Sequence, residues 1–178
     1  MSERRKAAAT GTETRDAAGS DERRQTAIAV LLHRVSGGLN NAAMAFELGI
    51  APSGDADASQ RVLRAGLAGV GQAARATTLL GELLMPGTTN SESQARLSDV
   101  VDLLRSRAAQ CGVGLRLEDE SLQGEYGPTS AANAVAALLD IIAALERAVP
   151  GESLSLAIAQ VRGGASLRAT TVASAPPR

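Results

Sequence analysis

The chain is almost without aromatic residues: 178 positions hold one Phe, one Tyr and no Trp. Its core must be assembled from Ala, Leu, Val, Ile and Gly, which suits closely packed helices and argues against a broad aromatic-lined pocket or a sizeable cofactor cavity. A single cysteine, Cys111, cannot close an internal disulfide. With only one histidine beside it, the usual four-ligand structural zinc site cannot be built either. The formal net charge is -1 and the pI about 5.9. No excess of basic charge therefore draws the chain to nucleic acid or to an anionic membrane. Lys6 is the sole lysine, and Arg supplies the remaining basic side chains. No stretch approaches the ~20 apolar residues of a membrane span, and the N-terminal residues lack the apolar core of a secretory signal. The cytoplasm is the expected compartment.

What is present is helical periodicity. The first twenty residues mix Arg, Glu, Ala, Thr and Gly without a repeating apolar face, so residues 1–20 read as a disordered tail. From Ile28 the apolar positions run Ile28, Leu32, Val35, Leu39, Ala42 and Phe46, a heptad-like spacing on a helix from about Asp21 to Gly49. Pro52 and Gly54 break it, and Asp-Ala-Asp-Ala-Ser (Asp55–Ser59) can start a second helix. That helix carries Val62, Gly66, Gly69, Ala73, Ala76, Leu80 and Leu83 at the same spacing, and its small residues let neighbouring backbones approach closely. Two such helices joined by a short loop predict an antiparallel hairpin over residues 21–85. A lone hairpin has little to bury, so two copies are expected to complete a four-helix bundle as a homodimer.

The segment Pro86–Ser93 reads as a linker, and beyond it the pattern changes. A helix of about Glu92–Cys111 turns Leu97, Val100, Val101 and Leu104 inward and leads into the strand Gly-Val-Gly-Leu-Arg-Leu-Glu. A further helix over about Thr129–Ala148 precedes two alternating segments, SLSLAIAQV and ASLRATTVA, which predict strands around the turn at Arg162-Gly163-Gly164. Residues 94–178 are therefore expected to form a small α/β layer, and the fold class is α+β.

One side chain stands out chemically. Stepping about 100° per residue from Ile28 places His33 about 140° from the apolar seam, with Gly37, Asn40 and Met44 on the same side. An outward imidazole with a free ring nitrogen is a nucleophile toward an acyl phosphate or another phosphoryl donor. Histidines on helix surfaces are also common and inert, so geometry alone leaves both readings open.

The stretch LLHRVSGGLNNAAMAFEL (Leu31–Leu48) resembles the H-box of histidine kinases and of bundle-type histidine phosphotransferases. Val35 and Leu39 stand where that motif places an apolar residue and a Leu, and the order of elements from about Asp21 to Ala173 resembles the hairpin and ATPase domain of a kinase core. The resemblance implies a dimerisation and phosphotransfer hairpin followed by a reduced ATPase-like sandwich, with His33 as phosphoacceptor. It implies a receiver domain as partner, docking near Arg34, Gly37, Asn40 and Met44, and magnesium brought by that partner and not by this chain.

The departures from the family pattern bound the chemistry. The residue after the His is usually acidic and helps deprotonate the imidazole during transfer from ATP; Arg34 stands there instead. Gly37 occupies the position where family phosphatases place a Thr, Asn or Gln to orient water. The segment Leu138–Ala144 resembles the N-box, with Asp140 at its polar position but Ala144 in place of the magnesium-binding Asn. The Asp-x-Gly-x-Gly box is absent, so nucleotide binding is not expected, and no cofactor is expected on the chain itself. The alternative is a non-catalytic dimeric scaffold, a kinase-like core that binds a signalling partner without chemistry at His33. Other candidates are weaker: Glu118-Asp119-Glu120 reads as solvated loop charge, and Ser36, Ser130 and Cys111 lack a second histidine to act as base.

Overall fold

The computed structural model describes residues 3–50, 56–87, 94–118, 128–161 and 164–172. The fold over these residues is α+β. Its elements run α1 (Glu3–Ile50), α2 (Ala56–Leu84), β1 (Gln94–Arg96), α3 (Leu97–Gln110), β2 (Gly114–Leu117), β3 (Pro128–Ser130), α4 (Ala131–Arg147), β4 (Ser153–Val161) and β5 (Gly164–Val172). The strands form one mixed sheet in the order β1-β3-β5-β4-β2. The neighbours are antiparallel except β2 and β4, which run parallel. No helix among the described residues is long and apolar enough to cross a membrane.

The first helix begins at Glu3, well ahead of the start expected near Asp21, so the residues read as a disordered tail continue α1. Their composition explains the difference. Glu, Arg, Lys and Ala dominate residues 3–9 and are strong helix formers. No proline interrupts the chain before Pro52, and Gly11 and Gly19 each cost only ~1 kcal/mol relative to Ala. An apolar stripe reports a helix's partner, and its absence does not abolish helical propensity.

The two long helices pack antiparallel. Ideal Cβ atoms built at Gly49, Gly66 and Gly38 meet Leu63, Ala45 and the Gly69 carbonyl respectively, so the contact runs up one helix as it runs down the other. Near its far end an Arg24 guanidinium nitrogen donates to the Leu83 carbonyl at 2.5 Å. The face of α1 buried in this contact is Ala27, Leu31, Gly38, Ala42 and Ala45. Of the seam expected from spacing, Ala42 is buried and Ile28 and Val35 are half-buried, while Leu32, Leu39 and Phe46 are 48%, 54% and 51% exposed. Glycine and alanine account for the rotation, because only small side chains let the two backbones come this close. On α2 the expected positions Gly66, Gly69, Ala73, Ala76 and Leu83 are buried, and Leu79 joins them.

The α/β layer is built as its patterning predicts, with two additions. Leu97, Val100, Val101 and Leu104 of α3 are buried, and so are Leu138, Ile141 and Ile142 of α4. Alternation puts Leu154 and Leu156 of β4, with Ala165 and Leu167 of β5, on the face covered by these helices. The termini are made by specific local chemistry. After α3, Val113 N–H donates to the Ala108 carbonyl and Gly112 N–H to that of Ala109, a Schellman closure that needs Gly112 at φ +68. Ser130 caps α4 by accepting from Asn133 N–H at 3.2 Å. Pro150 and Gly151, the latter at φ +94, form the turn into β4, closed by Glu152 N–H on the Val149 carbonyl. The additions are the three-residue strands β1 and β3, which are too short for alternation to register.

One apolar cluster joins the helix pair to the α/β layer. Ala27 and Leu31 of α1 and Ala76, Leu79 and Leu83 of α2 belong to the same buried core as the side chains of α3, α4 and the sheet. The helix pair and the α/β layer are thus joined by packing as well as by the 86–93 segment, of which residues 88–93 lie outside the described residues. This contact places α3 beside α1.

Candidate functional site

A groove with a volume of about 460 Å³ runs between α1 and α3. Helical spacing brings Val30, His33, Arg34, Gly37 and Asn41 onto one side of α1, and Asp102, Ser106, Arg107 and Gln110 onto the facing side of α3, with Gln72 of α2 between them. His33 is exposed at the rim. Gly37 leaves the wall beside the imidazole low, since a Cβ there would meet nothing within 4 Å.

The charge of the groove is set by two guanidinium groups and one carboxylate. Arg34 is half-buried and adjoins His33, and Arg107 stands exposed on the opposite wall. Asp102 is shared with Arg105, whose Nε lies 3.5 Å from it outside the groove lining. The remaining polar side chains, the amides of Asn41, Gln72 and Gln110 and the hydroxyls of Thr26 and Ser106, can all donate hydrogen bonds. The set suits an anion with several acceptor oxygens, next to a nitrogen nucleophile. Below the groove, Arg75 Nε donates to Asp99 Oδ1 at 2.9 Å and fastens α2 to α3.

Of the residues picked out in the sequence, His33, Arg34 and Gly37 line this groove together. Asn40 and Met44 are exposed but lie outside it, and Asn41 takes the place on the lining. Arg107, Ser106 and Gln110 were not legible as site residues, because nothing in the sequence says which face of α3 meets α1. The helical positions Asp102, Ser106 and Gln110, spaced four apart on the side opposite Val100, Val101 and Leu104, were the available signal.

Two of the weaker candidates have structural roles. Ser130 caps α4, and Glu118 accepts a hydrogen bond from the buried Ser155 hydroxyl at 2.6 Å. Asp119 and Glu120 lie outside the described residues. Cys111 is half-buried at the end of α3. In the N-box-like segment Ala144 is buried and Asp140 exposed. Among the described residues no group of three or more His, Cys, Asp or Glu side chains is placed to hold a metal ion. No protein-family model matches the chain, and no curated protein matches it.

Proposed function

We propose that this chain is a histidine phosphotransferase-like protein of a phosphorelay, working in the cytoplasm and exchanging a phosphoryl group between His33 and an aspartate of a receiver domain. The observation that carries the reading is the placement of His33: an exposed imidazole at the rim of a groove with Arg34 beside it and Arg107 facing it. In the forward step a ring nitrogen of neutral His33 attacks phosphorus. The N–P bond forms, the P–O bond of the aspartyl phosphate breaks, and the electron pair leaves with the aspartate carboxylate. The other ring nitrogen keeps its proton throughout. Magnesium would be brought by the receiver, where it would offset charge on the phosphoryl oxygens, and Arg34 supplies hydrogen bonds from this side. The receiver docks over Arg34 and Gly37 and along the exposed Asn40 and Met44.

Two further features support the reading. We read the α/β layer, whose elements run β1, α3, β2, β3, α4, β4, β5, as a reduced histidine-kinase ATPase-like domain without nucleotide chemistry. The exposed apolar residues Leu32, Leu39 and Phe46 of α1 and Leu63, Leu67 and Val70 of α2 form the face through which two hairpins would pair into a four-helix bundle. Incubation with a phosphorylated receiver, or with a small phosphodonor, is expected to label the wild-type protein and leave His33→Ala unlabelled. Equal labelling of both proteins ends the proposal.

A further inference from the structure

Arg34 borders two cavities. One is the His33 groove; the other is a small, partly open pocket of about 10 Å³ whose polar lining residues are Arg34, Gln72, Arg75 and Asp99. The two oxygens of Asp99 differ there. Oδ1 accepts from Arg75, whereas Oδ2, with less than 1 Å² exposed, accepts no hydrogen bond from the protein. Arg34 for its part makes no ion pair among the described residues, although it is half-buried. Asp99, with one buried oxygen that lacks a donor, and the half-buried Arg34, which has no ion-pair partner among the described residues, thus line the same small pocket. A pocket of this size admits about one water molecule, and this one has the polar partners a bound water requires.

We propose that a single water in this pocket joins Asp99 Oδ2 to the Arg34 guanidinium, making Asp99 a positioning residue for Arg34. The water accepts from Arg34 and donates to Asp99, so one carboxylate holds two like-charged guanidinium groups, directly for Arg75 and through the water for Arg34. Without that negative charge Arg34 and Arg75 repel, and the Arg34 side chain leaves the groove floor for solvent. Arg34 held in place offers its remaining N–H groups to a phosphoryl group at His33, a consequence that rests on the function proposed above.

A double-mutant cycle of four proteins tests it, wild type, Asp99→Asn, Arg34→Ala and the double variant, with Asp99→Glu as a rescue. In single-turnover transfer from a phosphorylated receiver, Asp99→Asn is expected to lower the rate about tenfold, as losing a charge-assisted hydrogen bond does, with the half-saturating receiver concentration within about twofold of wild type. Arg34→Ala is expected to cost less in the Asp99→Asn background than in wild type, and Asp99→Glu to restore part of the rate. A wild-type rate in Asp99→Asn, or rate losses that multiply independently, overturns the assignment. Urea unfolding of the same four proteins reads the link without phosphoryl chemistry: non-additive stabilities support it and additive ones refute it. If His33 takes no label in the wild type while that coupling persists, the phosphotransfer function falls and the link through Asp99 stands.

Discussion

Gly37 and Gly38 are neighbours in α1, and substituting each by Ala should move stability in opposite directions. A Cβ at Gly38 would lie 2.5 Å from the Gly69 carbonyl oxygen and 3.1 Å from the Ala73 Cβ. The first of these is backbone, which cannot rotate away, so α1 and α2 must separate at their closest approach. Overpacking of this kind costs about 1–3 kcal/mol. The gain in helix propensity on replacing Gly by Ala returns ~1 kcal/mol. Separation also loosens the neighbouring contacts of Ala42 and Ala73, which favours the upper end of the cost, so the net loss is about 1–2 kcal/mol. At Gly37 a Cβ meets nothing within 4 Å. The same substitution there keeps the propensity gain of ~1 kcal/mol and carries no steric cost.

The two variants should therefore differ by about 2–3 kcal/mol, or roughly 4–12 °C in Tm for a chain of this length. Thermal unfolding followed by circular dichroism measures this, at one fixed protein concentration because self-association would raise Tm with concentration. The comparison is stringent because the two positions share sequence context and helix. A Tm for Gly38→Ala equal to or above that of Gly37→Ala would refute the close backbone approach on which the α1–α2 packing rests.

Two other outcomes follow from single features of the structure. Ser130→Ala removes the acceptor for Asn133 N–H at the start of α4 and should lower stability by about 1 kcal/mol, with Ser130→Asp retaining most of it; equal urea midpoints for Ala and Ser would deny the cap. Leu39→Glu combined with Phe46→Glu places two carboxylates in the exposed apolar stripe and should convert a dimer to a monomer in sedimentation equilibrium at neutral pH. A dimer that survives both charges would move the pairing face elsewhere.

Much of the fold was legible because it is written in long periodic signals. The inward faces of α3 and α4 and the alternation of β4 and β5 each repeat over several residues, and prolines at 52, 86 and 150 mark breaks between elements. Three things were not legible. Strands β1 and β3 are three residues long, and their existence depends on pairing with each other and with β5. The buried face of α1 is Ala and Gly except for Leu31, so a reading that follows large apolar residues at heptad spacing settles on Leu32, Leu39 and Phe46 instead. The groove needs α3 laid against α1, a tertiary placement set by Leu31, Leu79 and the shared core. His33 and Arg34 could be found because they flank a recognisable stretch, but Arg107 could not, since its significance comes only from the helix across the way.

The rotation of the α1 seam has a consequence for how two tasks fit on one helix. With Ile28 as zero, Leu32, Leu39 and Phe46 centre about 20° around the helix, the contact with α2 about 285°, and the groove residues Val30, Arg34, Gly37 and Asn41 about 210°. The apolar stripe of α2, Leu63, Leu67 and Val70, lies about 135° from its own buried face. Because α2 runs antiparallel, that offset carries it to the same side of the pair as the stripe on α1. The helix pair thus has an apolar side and, nearly opposite, a polar side where α3 leans against it. Had the Leu seam faced α2 instead, the second copy and the receiver of the proposed function would have competed for the remaining surface. Small residues in the helix contact leave the large ones exposed, and the imidazole of His33, about 120° from the stripe, would stay open in the dimer proposed above.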